Sequence, residues 1–175
     1  KKLTSVEWLI ESLLKMSRLD AGAVKFASED TNISDIIYGA YDTVAVPMEL
    51  REQEFNYEST DEIIYCDKKW MVEAVSNIFK NCMEHTPSGG SINVSVKNTS
   101  VYTEITISET GCGFEEKDIP HVFERFYKGS NSAEESFGIG LCLSNMIISS
   151  QNGTIKADNY NGSARFVIKL YKTIM

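Results

Sequence analysis

The sequence predicts an α+β fold: a two-layer sandwich with helices on one face of a mixed sheet, preceded by an N-terminal amphipathic helix. Three observations lead there. Segments with helical period are interleaved with segments of period two. Two period-two runs, Ile92–Val96 and Val101–Ile107, are joined by the short polar turn "KNTS", the signature of an antiparallel hairpin. Strands and helices follow one another without the strict alternation of an all-parallel βαβ sheet. At 175 residues the chain is one domain, or one domain with an appendage.

Taken in order, Leu3, Val6, Ile10 and Leu13 recur at three- and four-residue spacing, so residues 3–20 read as a helix whose apolar stripe needs a partner helix. "DAG" at Asp20–Gly22 ends it. "VKF" at 24–26 reads as a short strand, followed by a helix over about 34–44 that is broken before Pro47. Strand-like runs follow at 54–57 and 63–66. Asp67 is placed to N-cap a long helix over 68–85, stopped by "TPSGG". After the hairpin, "KGSNSAEES" at 128–136 is too polar to bury surface and reads as a mobile loop. A helix over 140–150 closed by Gly153, then strands over 154–157 and 165–170, complete the chain.

Composition narrows the function classes. A net charge of −8, from 17 Lys+Arg against 25 Asp+Glu, argues against nucleic acid as a partner. Any polyanion must be held by a local device. With only His85 and His121, a three-histidine zinc site is excluded. Cys66, Cys82, Cys112 and Cys142 are scattered without metal-ligand spacing and read as free thiols. No apolar run approaches the roughly 18 residues of a membrane span.

Four stretches carry chemistry. In "NIFKNCMEHTP", Asn77, Asn81 and His85 fall four residues apart on one helix face, although asparagine disfavours helices. A neutral amide oxygen suits Mg²⁺ that shares its shell with phosphates and water. "ETGCGF" (109–114) follows a strand; Gly111 and Gly113 permit close approach of backbone to a flat ligand, and Glu109 can accept from an exocyclic amine. "VFERFYKG" combines Phe123 with Arg125 and Lys128, an aromatic anchor beside two cations. "GIGL" (Gly138, Gly140, Leu141) opens a helix whose free N–H groups and dipole favour phosphate.

In this order, the four stretches resemble the N box, first glycine box, F box and second glycine box of the ATP-binding catalytic domain of two-component sensor histidine kinases. These belong with the gyrase, chaperone and mismatch-repair ATPases. "LIESLLKMSRLDAG" resembles the second helix of their dimerisation and phosphoacceptor hairpin. The resemblance implies that residues 1–22 are that helix and 23–175 the catalytic domain. It implies ATP with Mg²⁺ on Asn81, Asn77 assisting at the phosphates and His85 against the adenine. Glu109 would read the adenine amine, with Gly111 and Gly113 shaping its pocket. Arg125 and Lys128 would serve the phosphates, and Gly138 and Gly140 would close the lid. It further implies a response-regulator receiver domain as partner, a homodimer through the hairpin, and a cytoplasmic location within a membrane-anchored bacterial parent. Hydrolytic relatives carry a glutamate four residues before the metal asparagine; Asn77 stands there and cannot act as a general base. Phosphotransfer to a protein histidine, rather than hydrolysis, is therefore expected. Neither His85 nor His121 sits in the family's acceptor setting, so the acceptor is expected upstream of Lys1.

The chain departs from the family pattern at Glu109, where aspartate is usual, and at Glu84, where many members have a phosphate-facing lysine. Phe137 and Cys142 stand where glycine is common. A second reading follows: a degenerate, nucleotide-weak regulatory module acting through helix pairing.

Overall fold

Residues 2–130 and 136–173 are described by the computed structural model of the chain. Helix α1 (Lys2–Asp20) forms where the periodicity places it. Its inward face buries Ser12 and Met16 in the domain's own core, with Trp8, Leu9 and Leu13 packed on the margin. Leu3, Val6, Ile10 and Leu14 remain exposed. The helix thus has two apolar faces, and its own domain covers one.

The "VKF" stretch forms no strand. Phe26 packs edge-on against Trp70, with ring centroids 5.9 Å apart, but no neighbouring strand meets its backbone. The strand falls later, at β1 (Glu29–Asn32), antiparallel to β3 (Ile63–Cys66) in a two-stranded sheet. Asn32 caps α2 (Ile33–Asp42), its side chain accepting from the Ser34 N–H at 2.7 Å. Pro47 lies inside the short α3 (Ala45–Leu50), in the first turn, where its missing N–H costs nothing. The interruption falls just before, at Thr43 and Val44.

Helix α4 (Lys68–His85) starts at Asp67, whose carboxylate accepts from the Trp70 N–H at 3.2 Å and the Ala27 N–H at 2.8 Å. Met71, Val75, Ile78 and Cys82 form its buried stripe, joined by Phe79. The last turn is held from outside: the Gln53 amide donates to the carbonyls of Met83 and Thr86 at 3.0 and 2.7 Å.

The main sheet has five strands in the order β2-β4-β5-β7-β6. They are β2 (Glu54–Tyr57), β4 (Ser91–Asn98), β5 (Tyr102–Glu109), β6 (Gly153–Tyr160) and β7 (Ser163–Tyr171). Only β2–β4 is parallel, so the sheet is mixed. Along β5 and β7 every second residue is buried, the period of a half-covered sheet. On β5 the buried set is Thr103, Ile105, Ile107 and Glu109, which puts that glutamate on the helix-facing side. The β6–β7 hairpin extends beyond the predicted strands to a two-residue turn, with Asn161 at φ 51° and Gly162 at φ 80°.

Helix α5 (Gly140–Ser150) is tied to α4 by the buried Ser144 hydroxyl, donating to the Ala74 carbonyl at 2.7 Å. Asn152, at φ 60°, makes the turn after α5. Gly153 instead starts β6, where a Cβ would stand 2.8 Å from Ile148 and 2.9 Å from Leu170. Most of the polar loop expectation, at 131–135, lies outside the described residues.

Candidate functional site

A cleft of about 410 Å³ opens between α1, α4, the 113–129 segment and the start of α5. Helix α4 contributes Asn77 and Asn81, one turn apart, with Lys80 and Glu84 on the same side. Asn77 carries a buried side-chain nitrogen, Nδ2, with no hydrogen-bond partner among the described residues. A buried donor without a partner costs on the order of 1–3 kcal/mol.

The far wall is the N-terminus of α5. Ile139 occupies the N-cap without a side-chain hydrogen bond, and no cap for the first-turn N–H groups is found among the described residues. Gly140 starts this helix beside Asn77: a Cβ there would lie 3.9 Å from the Asn77 Cβ, an ordinary van der Waals contact. Gly138 has φ 72°, and a Cβ would meet the Tyr127 carbonyl at 2.6 Å. The Phe126 N–H donates to the Gly138 carbonyl at 2.9 Å. Leu141 completes this wall.

Gly113 lines the cleft at φ 78°, where a Cβ would reach to 2.6 Å from the Asn159 Oδ1. That amide accepts from the Phe114 N–H and donates to its carbonyl, both at 2.8 Å, holding the segment open. Asp118 and Tyr127 face the same space. The Tyr127 hydroxyl donates to Asp118 at 2.5 Å and the Ser130 N–H at 3.1 Å, which holds the carboxyl below the usual carboxylate range.

Asn77, Asn81, Gly113, Gly138, Gly140 and Leu141 are therefore gathered around one space. His85, Glu109, Gly111, Phe123, Arg125 and Lys128 are not on its wall. Glu109 is 3% exposed, its Oε2 accepting from the Gly111 N–H at 2.6 Å and its Oε1 from the Ala164 N–H at 3.0 Å. Its carboxylate is occupied by backbone. Gly111 folds tightly over that carboxylate and the His85 carbonyl. Phe123 packs on Phe166. Arg125 turns away to Asp20 at the end of α1, 3.0 Å away.

Sequence reasoning missed the part that α1 plays. Thr4, Ser5 and Trp8 line the cleft mouth. Trp8 stacks on Phe137 with ring centroids 6.4 Å apart, and Lys80 Nζ lies 5.1 Å from its ring centre. Lys15 pairs with Glu73 of α4 at 2.7 Å, tying α1 to the helix that carries both asparagines. Helical period alone could not say which face of α1 meets its own domain.

A mixed sheet under helices, with a nucleotide-sized cleft between an asparagine-bearing helix and a glycine-opened helix, defines a class of ATP-binding domain. Residues 66–174 match the family described as histidine kinase-, DNA gyrase B- and HSP90-like ATPases. The chain belongs to this family, as a catalytic ATP-binding domain of the sensor histidine kinase type. It is similar to the sensor histidine kinase TrcS of Mycobacterium tuberculosis, 24% identical over 169 residues, covering 93% of this chain and 33% of that protein. The signal transduction histidine-protein kinase AfsQ2 of Streptomyces coelicolor is 30% identical over 165 residues, covering 93% of this chain and 30% of its own. The chain spans about a third of the length of such relatives. In fold it resembles the Acinetobacter baumannii histidine kinase AdeS, with TM-score 0.81 at 19% identity over 98% of this chain and 81% of that one. The full-length kinase ShkA, solved with AMPPNP, gives TM-score 0.78 at 16% identity over 95% of this chain and 36% of that one. No helix among the described residues is long and apolar enough to cross a membrane.

Proposed function

We propose that the cleft binds ATP with Mg²⁺ and presents the γ-phosphoryl to a histidine on the helical hairpin of the parent kinase, for relay to a receiver domain. The observation that carries the reading is Asn77 Nδ2, a buried donor without a partner among the described residues, beside the start of α5, whose N-cap makes no side-chain hydrogen bond. Two sources of N–H groups converge there on a space suited to polyphosphate.

The Asn81 amide oxygen, in the cleft one turn further along α4, suits the metal. When bound, Mg²⁺ neutralises charge on the phosphate oxygens and helps to orient them. Asn77 donates to a phosphate oxygen but has no basic atom to activate water. The chain's part is therefore positioning and charge stabilisation. In the transfer, the bond from the γ-phosphorus to its bridging oxygen breaks, a P–N bond to imidazole forms, and ADP leaves. The exposed Leu3, Val6, Ile10 and Leu14 stripe supports a hairpin partner and, in the parent, a dimer. A membrane-anchored parent with a cytoplasmic catalytic domain fits the same reading. The degenerate-module alternative is less favoured, because both asparagines and both glycines of the phosphate wall are retained on the cleft.

Isothermal titration with MgATP tests this. The parent chain should bind in the micromolar to submillimolar range, and Asn81→Ala should weaken it at least about tenfold. No binding by the parent, or equal binding by the variant, removes the proposal.

A further inference from the structure

We propose that Lys80 is a phosphate-binding residue of this cleft and that Trp8, from α1, is the positioning residue that holds it there. The inference rests on the nucleotide reading above. Of the two cations that the F-box stretch offers, Arg125 is directed to Asp20 and Lys128 lies off the cleft wall. Among the described residues that line the cleft, Lys80 is the only cation, against the carboxylates of Glu84, Glu115 and Asp118. A polyphosphate entering this space meets a net negative rim, so one well-placed ammonium has a large differential effect on what binds.

Lys80 is adjacent to Asn81 in sequence and three residues from Asn77, which sets it on the same wall of α4. It offers a cation one turn before the glutamate at 84. An exposed lysine samples many rotamers; the Trp8 ring, 5.1 Å from Nζ, restricts this one to the cleft mouth. The same indole stacks on Phe137, next to Gly138. Trp8 therefore links the cation to the loop end that meets the phosphate wall, and ties both to α1.

The experiment is titration of MgADP, at 50 and 500 mM salt, into the parent, Lys80→Gln, Lys80→Arg, Trp8→Ala and Trp8→Phe. Lys80→Gln should weaken ADP about tenfold or more, and Lys80→Arg should stay within about threefold of the parent. Salt should weaken the parent's affinity markedly and that of Lys80→Gln much less, a response that a merely structural lysine would not change. Trp8→Ala should cost about threefold to fivefold, restored by Trp8→Phe. In a Trp70→Phe background, the remaining Trp8 emission should change on ADP addition. Lys80 is exposed, so its variants should melt like the parent. An ADP affinity for Lys80→Gln within twofold of the parent, or an unchanged salt response, overturns the inference while leaving nucleotide binding intact. A parent that binds no ADP overturns both.

Discussion

Glu109→Gln isolates the function of the most buried carboxylate near the site. The substitution keeps volume and replaces one oxygen by NH₂. In the parent, Oε2 takes the Gly111 N–H at 2.6 Å, Oε1 takes the Ala164 N–H at 3.0 Å, and the Thr86 hydroxyl lies 3.2 Å from Oε2. The Thr86 proton has a better acceptor in the Cys82 carbonyl at 2.6 Å, so only the two backbone donors depend on the carboxylate. An amide oxygen can serve one of them. Turned toward Gly111, the glutamine points its NH₂ at the Ala164 N–H, donor against donor, in a position 3% exposed. A charged hydrogen bond is lost and a buried donor is orphaned, together about 2–4 kcal/mol. With an m-value of about 2 kcal/mol/M in urea, the midpoint should fall by about 1–2 M at unchanged slope. Amide exchange at Ala164 should accelerate more than at Gly111. A loss below about 0.5 kcal/mol would show that the strand end is not held through this side chain.

Three further outcomes are expected. Phe79→Ala, at a fully buried ring, should cost about 3–5 kcal/mol, read by chemical denaturation; a loss under about 1 kcal/mol would mean that the cavity collapses. Tyr127→Phe removes the main hydrogen bond that lowers the Asp118 pKa. A carboxyl with a lowered folded pKa adds stability above its unfolded value, near pH 4, lost as pH falls through the folded one. The variant should therefore lose its acid-resistant stability at higher pH than the parent in an acid titration followed by circular dichroism, and coincident curves would count against the bond. With a thiol reagent at pH 8, exposed Cys112 should label well before Cys66, whose thiol burial pushes up to about 11, and before buried Cys82 and Cys142; labelling of Cys82 at a comparable rate would mean that the core opens readily.

Most of the sandwich was legible because its signals are local. The α4 stripe, the Asp67 cap and the period-two alternation each lie within a few residues, and short-range sterics and hydrogen bonding determine them. The 24–26 stretch misled because apolar alternation also describes an extended segment that packs side chains without pairing its backbone. Asn77, Asn81 and the glycines of the second box were legible as a set, since helix period alone places the two amides on one face. Arg125 was not, because whether a surface cation faces a cleft or an ion pair depends on an aspartate more than a hundred residues away. Trp8 and Lys80 were missed for the same reason: their meeting is a tertiary fact.

The backbone pairing of Phe126 with Gly138, and the contact of Gly138 against the Tyr127 carbonyl, bring residues 126 and 138 together independently of what lies between them. The chain that spans them is a closed excursion. Its closure entropy grows only logarithmically with length, about 0.6 kcal/mol for each doubling. Insertions there should therefore leave the domain's melting behaviour nearly unchanged, so the length of this connection can vary without renegotiating the architecture beneath it.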